Sequence, residues 1–189
     1  MSRVSAKKKN EYPWSLRLMY WNQYRTRGQT LLPTQVWGRS PVLLWRFLRM
    51  FQAFERNSSP LDPVLRALIT VRVSQINHCA FCIDFNAMRV LAQGGAEDKL
   101  DGLADIANSV HFSEAEKAAL IYAETITDSQ RRVSDEQIEA LKKDFSEDEI
   151  VELTALIAFQ NMSSKFNAAL DLPAQGFCEW KPMDDGLEE

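Results

Sequence analysis

The residues best suited to carry out a chemical reaction are two cysteines in the run Cys79-Ala80-Phe81-Cys82. At this spacing the two sulfurs lie about one helical turn apart, so they can form a disulfide at the start of a helix. A thiol there feels the partial positive charge of the helix N-terminus, which favours the thiolate. A thiolate can attack a peroxide or a disulfide, and the second cysteine can then resolve the product. The same spacing is also compatible with two inert, buried thiols.

Zinc binding is the competing chemistry for a close cysteine pair. A structural zinc site needs four ligands, which usually come as two paired sets. His78, His111 and Cys178 are the residues that could complete such a site, and none stands at a suggestive spacing from the pair. We therefore expect no metal. We also expect no cofactor, because the sequence contains no Gly-rich phosphate loop.

The composition is that of an ordinary globular protein: of 189 residues, 46% are apolar and 25% are charged. This length suits one domain. The basic start of the chain is not followed by an apolar signal segment, and the apolar residues 41–54 are too few to span a bilayer. Three cysteines do not make a disulfide framework. We expect a cytoplasmic protein, in which a close cysteine pair indicates redox or metal chemistry.

The charge is distributed unevenly along the chain. Residues 1–60 hold eleven Lys or Arg and two acids, a balance of +9, whereas the remainder holds eleven and twenty-four, a balance of −13. Residues 1–30 are also aromatic and lack clean periodicity, so we interpret them as a basic N-terminal arm. We favour packing of this arm on the acidic body of its own or a neighbouring subunit. Contact with a membrane or nucleic acid is the weaker interpretation, because the arginines are spread singly.

The rest of the chain has the periodicity and the boundary signals of helices. An apolar helix follows Pro41, and Asp62-Pro63 has the sequence of an N-cap followed by proline at the first helical position. Another helix begins at Cys79 and ends near Gly94. Three later helices begin with capping boxes: Ser113-x-x-Glu116, Ser134-x-x-Gln137 and Ser146-x-x-Glu149. Nothing indicates a sheet, so we predict an all-α helical bundle.

The segment around the cysteines also resembles a known family. Residues 61–84, with the run Val73-Ser74-Gln75 before the cysteines, are similar to the core of alkylhydroperoxidase-D-like proteins in the carboxymuconolactone decarboxylase family. The run 112–172 resembles the carboxymuconolactone decarboxylase side of that family. The resemblance implies an oligomeric helical domain over residues 31–172, followed by a C-terminal tail, residues 173–189.

In the redox members of this family, the resemblance implies peroxide reduction by the cysteine pair. It makes Cys82 the attacking thiolate and Cys79 the resolving partner, whereas the helix dipole alone favours Cys79 as the attacker. The family's proton relay is a Glu twelve residues before the first cysteine and a His four residues after the second. Ala67 and Asn86 occupy these positions here.

Other residues could replace the missing relay. Asp84 and His78 are the local candidates for an acid or base, although Asp84 also suits a helix start and His78 a helix junction. Two carboxylates of later helices are further candidates, each also interpretable as solvated surface: Glu124 and Glu152.

These observations predict a thiol-dependent oxidoreductase that acts on a hydroperoxide or a disulfide and is regenerated by a dithiol reductant. Two alternatives stay open. One is a decarboxylase-like lyase with incidental cysteines, and the other is a non-catalytic oligomer that binds a partner through residues 1–30. Cys178, in the tail, could act as a third redox partner for a neighbouring subunit's dithiol, although a lone tail thiol is more often incidental.

Overall fold

The computed structural model describes residues 2–181. Within this range the chain forms nine α-helices and two short 3-10 helices, and it contains no β-strand. The all-α fold expected from the sequence is therefore confirmed. No helix in this range has both the length and the apolar character needed to cross a bilayer. The described residues divide into two compact units: residues 2–59 with 170–172, and residues 60–169 with 173–181.

The first unit contains three α-helices: α1 (Trp14–Arg27), α2 (Leu32–Trp37) and α3 (Pro41–Phe54). Residues 1–30, which we interpreted as an arm, include α1, whose Leu16 and Tyr20 are buried. The Tyr20 hydroxyl donates to the Thr34 carbonyl oxygen at 3.0 Å. The ring of Tyr12 packs edge-on against that of Tyr20, with centroids 5.1 Å apart. Tyrosines anchor this segment in place of a long apolar stripe, which explains its weak periodicity.

The second unit contains the other six α-helices: α4 (Pro63–Ile76), α5 (Ala80–Ala92), α6 (Glu97–Asp101), α7 (Glu114–Thr127), α8 (Asp135–Leu141) and α9 (Glu147–Ala169). Helix α4 packs against α5, α7 and α9. Nine of its fourteen residues are buried, so it is covered on most of its circumference. A helix buried in this way lies at the centre of its unit.

Local hydrogen bonds set the starts of these helices as the sequence predicts. At α7, Ser113 Oγ accepts from the Glu116 N–H at 3.2 Å, and the Ser113 N–H donates to Glu116 Oε2 at 2.9 Å. The same reciprocal pairs form at Ser134 and Gln137 and at Ser146 and Glu149. At α4, Asp62 accepts from the Leu65 N–H at 2.9 Å. All three predicted capping boxes are confirmed.

Candidate functional site

The two cysteines lie at the start of α5, within the second unit. Cys79 is the N-cap residue, and its Sγ accepts a hydrogen bond from the Cys82 N–H at 3.2 Å. The two sulfurs are 2.21 Å apart and form a disulfide, with the Cα atoms 5.2 Å apart. Both side chains are buried, with 1% and 3% of their surface exposed. The predicted ability of this pair to form a disulfide at a helix start is confirmed.

A tight turn between α4 and α5 positions Cys79. Asn77 caps α4, and its Nδ2 donates to Asn161 Oδ1 and to Ser164 Oγ of α9 at 2.9 Å each. His78 adopts a left-handed conformation with φ 52°, and its side chain is exposed. Both residues are therefore part of the turn that connects α4 to the disulfide. The acid–base role of His78 stays a prediction.

A side chain of α9 lies against the Cys82 sulfur. Asn167 Nδ2 donates to Cys82 Sγ at 3.2 Å, although the two residues are 85 positions apart in the chain. Asn167 is only 3% exposed, and its Oδ1 is buried without a hydrogen-bond partner. The sequence offers no signal for this contact beyond the amide itself, because a long-range pairing brings it about. The side chain that contacts the Cys82 sulfur from α9 is thus a neutral amide and not an acid or a base.

The two positions that correspond to the family's proton relay hold no substitute base. Ala67 is fully buried in α4 and carries no ionisable group. Asn86 is also buried, and its Oδ1 accepts from Arg89 Nη1 at 3.0 Å. An amide oxygen does not take up a proton at neutral pH. Neither residue can therefore perform the proton transfer of a Glu or a His.

Asp84 binds the C-terminal segment. Its Oδ2 accepts from the backbone N–H groups of Gln175 and Gly176, and its Oδ1 accepts from that of Cys178, all at 2.8 Å. The carboxylate is only 4% exposed. Gly176 has φ 74°, a left-handed conformation that favours glycine. Asp84 thus holds the loop formed by residues 175–178, and its predicted acid–base role stays a prediction.

The same loop packs aromatic surface onto α5. Phe81 and Phe85 stack with centroids 5.8 Å apart, and Phe177 packs edge-on against both at 6.1 and 5.6 Å. Phe81 stands between the two cysteines in sequence, so this cluster begins on the turn that carries the disulfide. Cys178, the next residue of the loop, is a free thiol and is 7% exposed.

The remaining candidate residues have other environments. Glu124 lies in a cleft of about 450 Å³, where its Oε1 accepts from Arg72 Nε at 2.7 Å and from Arg72 Nη2 at 2.6 Å. Glu152 is half-buried on α9. His111 is exposed, 3.9 Å from Asp98. Across residues 2–181, no group of three or more His, Cys, Asp or Glu side chains could hold a metal ion.

These helices adopt an AhpD-like fold, with a disulfide at the start of α5. The model of the carboxymuconolactone decarboxylase family matches residues 41–125. The uncharacterized protein YnjA of Escherichia coli (strain K12) is 40% identical over 169 residues, which are 89% of this chain and 93% of that protein. The chain belongs to the carboxymuconolactone decarboxylase family.

Solved structures support the same fold. The alkylhydroperoxidase AhpD core of an uncharacterized peroxidase-related protein from Ralstonia eutropha JMP134 aligns with TM-score 0.82 and 17% identity, covering 93% of this chain and 94% of that chain. The debrominase Bmp8, in complex with 2,3,4-tribromopyrrole, aligns with TM-score 0.79 and 20% identity, covering 94% of both chains. At these identities the likeness shows the fold alone.

Proposed function

We propose that this protein is a thiol-dependent oxidoreductase that reduces hydroperoxides or exchanges disulfides through Cys79 and Cys82. The observation that carries the proposal is the disulfide between them, which begins α5 in a chain of this family. A cysteine pair that cycles between two thiols and a disulfide stores and releases two electrons. The peroxidase-related relative of the same fold supports hydroperoxides as the first substrate to test.

The proposed reaction starts from the reduced pair. The Cys82 thiolate attacks the terminal oxygen of a hydroperoxide, so a sulfur–oxygen bond forms and the oxygen–oxygen bond breaks. The leaving alkoxide takes a proton from water and departs as an alcohol. The Cys79 thiolate then attacks the Cys82 sulfenic acid and releases hydroxide, which is protonated to water. The product is the disulfide seen in the structure.

The disulfide must then be reduced. A dithiol reductant exchanges with it, becomes a disulfide itself and restores both protein thiols. A cytoplasmic location, which we include in the proposal, would supply such reductants. We also propose a homo-oligomer, because α9 exposes apolar Val151 and Met162 in the single chain.

The acid–base assignments follow from the contacts. Asp84 accepts three backbone N–H groups, which occupy most of the lone pairs of its carboxylate. We therefore propose that Asp84 mainly positions the loop formed by residues 175–178. His78 is exposed and close to Cys79 in the chain, so it remains our candidate for exchanging protons with solvent.

A second candidate function is the reductive removal of a halogen from an aromatic compound. The cluster of Phe81, Phe85 and Phe177 favours it, because an aryl ring can stack on such a surface. The fold relative Bmp8 is a debrominase. In this reaction the dithiol would supply two electrons and a proton would replace the halogen on carbon. Halide would leave, and the cysteines would end as the disulfide.

Hydroperoxide consumption in the presence of a dithiol tests the first proposal. Cys82→Ser and Cys79→Ser should abolish turnover, whereas Cys178→Ser should retain it, because Cys178 is not part of the disulfide. If the parent and all three variants consume hydroperoxide at the same background rate, the peroxidase proposal fails. Release of bromide from a bromopyrrole by the parent and by Cys178→Ser, but not by Cys79→Ser or Cys82→Ser, would then support the second candidate.

A further inference from the structure

The two relay residues that the family uses to activate a thiol are replaced in this chain. The relay positions carry Ala67 and Asn86, and the side chain that donates a hydrogen bond to the Cys82 sulfur is the amide of Asn167. The charged residues nearest on α5 are engaged elsewhere: Asp84 holds the loop formed by residues 175–178, and Arg89 donates to Asn86. The amide of Asn167 on α9 is therefore a polar group in position to act on the sulfur.

We infer that Asn167 is a catalytic residue that replaces the missing relay by hydrogen bonding alone. Its Nδ2 donates to the Cys82 thiolate, and its Oδ1 accepts the hydroxyl hydrogen of the attacked hydroperoxide. The inference rests on the proposed peroxide reduction and names the residue that makes it work without the Glu and His.

The donor half of this role follows from charge. A hydrogen bond is stronger when its acceptor is ionised, so the N–H group of Asn167 stabilises the thiolate more than the thiol. The site is also buried, with Asn167 and Cys82 each 3% exposed, and water therefore competes weakly for the sulfur. Loss of the donor should lower the thiolate fraction at neutral pH.

The acceptor half follows from the free Oδ1. A buried carbonyl oxygen without a donor is costly and uncommon in a folded protein. The oxygen and the donating nitrogen are bonded to the same carbon, so a hydroxyl bound by Oδ1 lies beside the Cys82 sulfur. A hydroperoxide held there presents its terminal oxygen for attack. Its hydrogen stays on that oxygen as the sulfenic acid forms, and the alkoxide is protonated by water.

The packing of α9 keeps this amide in place. Two side chains that precede Asn167 on α9 bond to the end of α4. One turn before it, Ser164 Oγ accepts from Asn77 Nδ2 at 2.9 Å. Two turns before it, Gln160 Nε2 donates to Ser74 Oγ at 2.8 Å. These contacts fix the rotation of α9 relative to the turn that leads into Cys79. The amide is preorganised for the sulfur before substrate arrives.

The donor half is tested by alkylation of Cys82 as the single thiol, in a background with Cys79→Ser and Cys178→Ser. Asn167→Ala should slow reaction with iodoacetamide at pH 7 about tenfold and move the midpoint of the pH profile upward by about one unit. Asn167→Asp should move it further, because a carboxylate repels the thiolate. The matched control Thr154→Val removes a hydrogen-bonding group of the same helix, the hydroxyl that bonds Tyr122, and it should leave the midpoint unchanged.

The acceptor half is tested with tert-butyl hydroperoxide at a pH above every midpoint, where each variant is fully thiolate. Each hydroperoxide rate is divided by the alkylation rate of the same variant, which corrects for differences in the nucleophilicity of the thiolate. Asn167→Asp, which keeps the acceptor, should regain the parent's rate with the hydroperoxide, whereas Asn167→Ala should stay about tenfold slower.

The outcomes separate the inference from the proposed function. An unchanged pH midpoint in Asn167→Ala overturns the donor role. Full recovery of the hydroperoxide rate in Asn167→Ala overturns the acceptor role. A parent protein that reacts with no hydroperoxide contradicts the proposed function and the acceptor role together, while the alkylation profile still decides the donor role. Circular dichroism of each variant, with the isosteric Asn167→Asp as reference, verifies that the helices are intact.

Discussion

Replacement of Asp84 by alanine should release the loop formed by residues 175–178. The carboxylate accepts three backbone N–H groups of this loop at 2.8 Å and is almost fully buried. Alanine removes both acceptor oxygens and leaves the three N–H donors to find water. The loop can meet that need only by opening, so the variant should shift the equilibrium toward the open loop.

The size of the shift follows from the number of bonds. A net contribution of about 1 kcal/mol for each hydrogen bond gives roughly 3 kcal/mol for the three. Because 1.4 kcal/mol corresponds to a factor of ten, the open population should rise on the order of a hundredfold. Asp101→Ala is the matched control, since it removes a single exposed acceptor, that of Trp180 Nε1 at 2.8 Å. Its effect should be about fivefold or less.

Alkylation of Cys178 measures this opening directly. The chain has three cysteines, and two of them form the disulfide, so Cys178 is the one reactive thiol of the oxidised protein. It is buried in the closed loop, and its alkylation rate reports the open population when closing is fast. A hundredfold faster reaction in Asp84→Ala, without a matching fall in the denaturation midpoint, supports the account. Equal rates in Asp84→Ala and the parent would refute the reasoning about the loop.

Three other substitutions test separate parts of the structure. Gly176→Ala should raise the alkylation rate of Cys178 about fivefold. An added Cβ meets no atom within 4 Å, so the effect comes from the left-handed φ of 74°, which costs alanine about 1 kcal/mol. Hydrogen bonds from Ser146 lower the pKa of Glu149 below its usual value of 4.5. The ionised carboxylate therefore stabilises the fold at pH values above 4.5, and this stabilisation is lost as the pH falls through the lowered pKa. Glu149→Gln should thus lower the thermal midpoint at neutral pH and make no difference in acid. Leu120→Ala, at a fully buried position of α7, should lower the free energy of unfolding by about 2–5 kcal/mol in a denaturant titration.

The helix starts were predictable because their signals are local. A serine and a glutamate or glutamine three positions apart can satisfy each other's backbone donors whatever the rest of the chain does, and all three such pairs form. Asp62 before Pro63 marks the start of α4 by the same kind of short-range bond. The disulfide belongs to this group too, because its partners are three residues apart.

The surroundings of the disulfide were not predictable from the sequence. The contact of Asn167 with Cys82 joins residues 85 positions apart, and that of Asp84 with Cys178 joins residues 94 positions apart. Neither leaves a periodic or motif signal. From the sequence, the helix dipole is enough to explain an aspartate near a helix start. Nothing in the sequence therefore indicates that Asp84 also binds the loop formed by residues 175–178. Only the packing of α9 and of residues 175–178 onto α5 makes either role visible.

The intact mass of the reduced protein after one equivalent of hydroperoxide tests the central claim most directly. The parent should lose two hydrogens as Cys79 and Cys82 form their disulfide. Cys79→Ser should gain one oxygen atom, because the sulfenic acid on Cys82 has no resolving partner, and Cys82→Ser should keep its mass. A gain of oxygen on Cys82→Ser together with an unchanged mass of Cys79→Ser would reverse the roles of the two cysteines. Unchanged masses in all three proteins would contradict peroxide reduction by this pair.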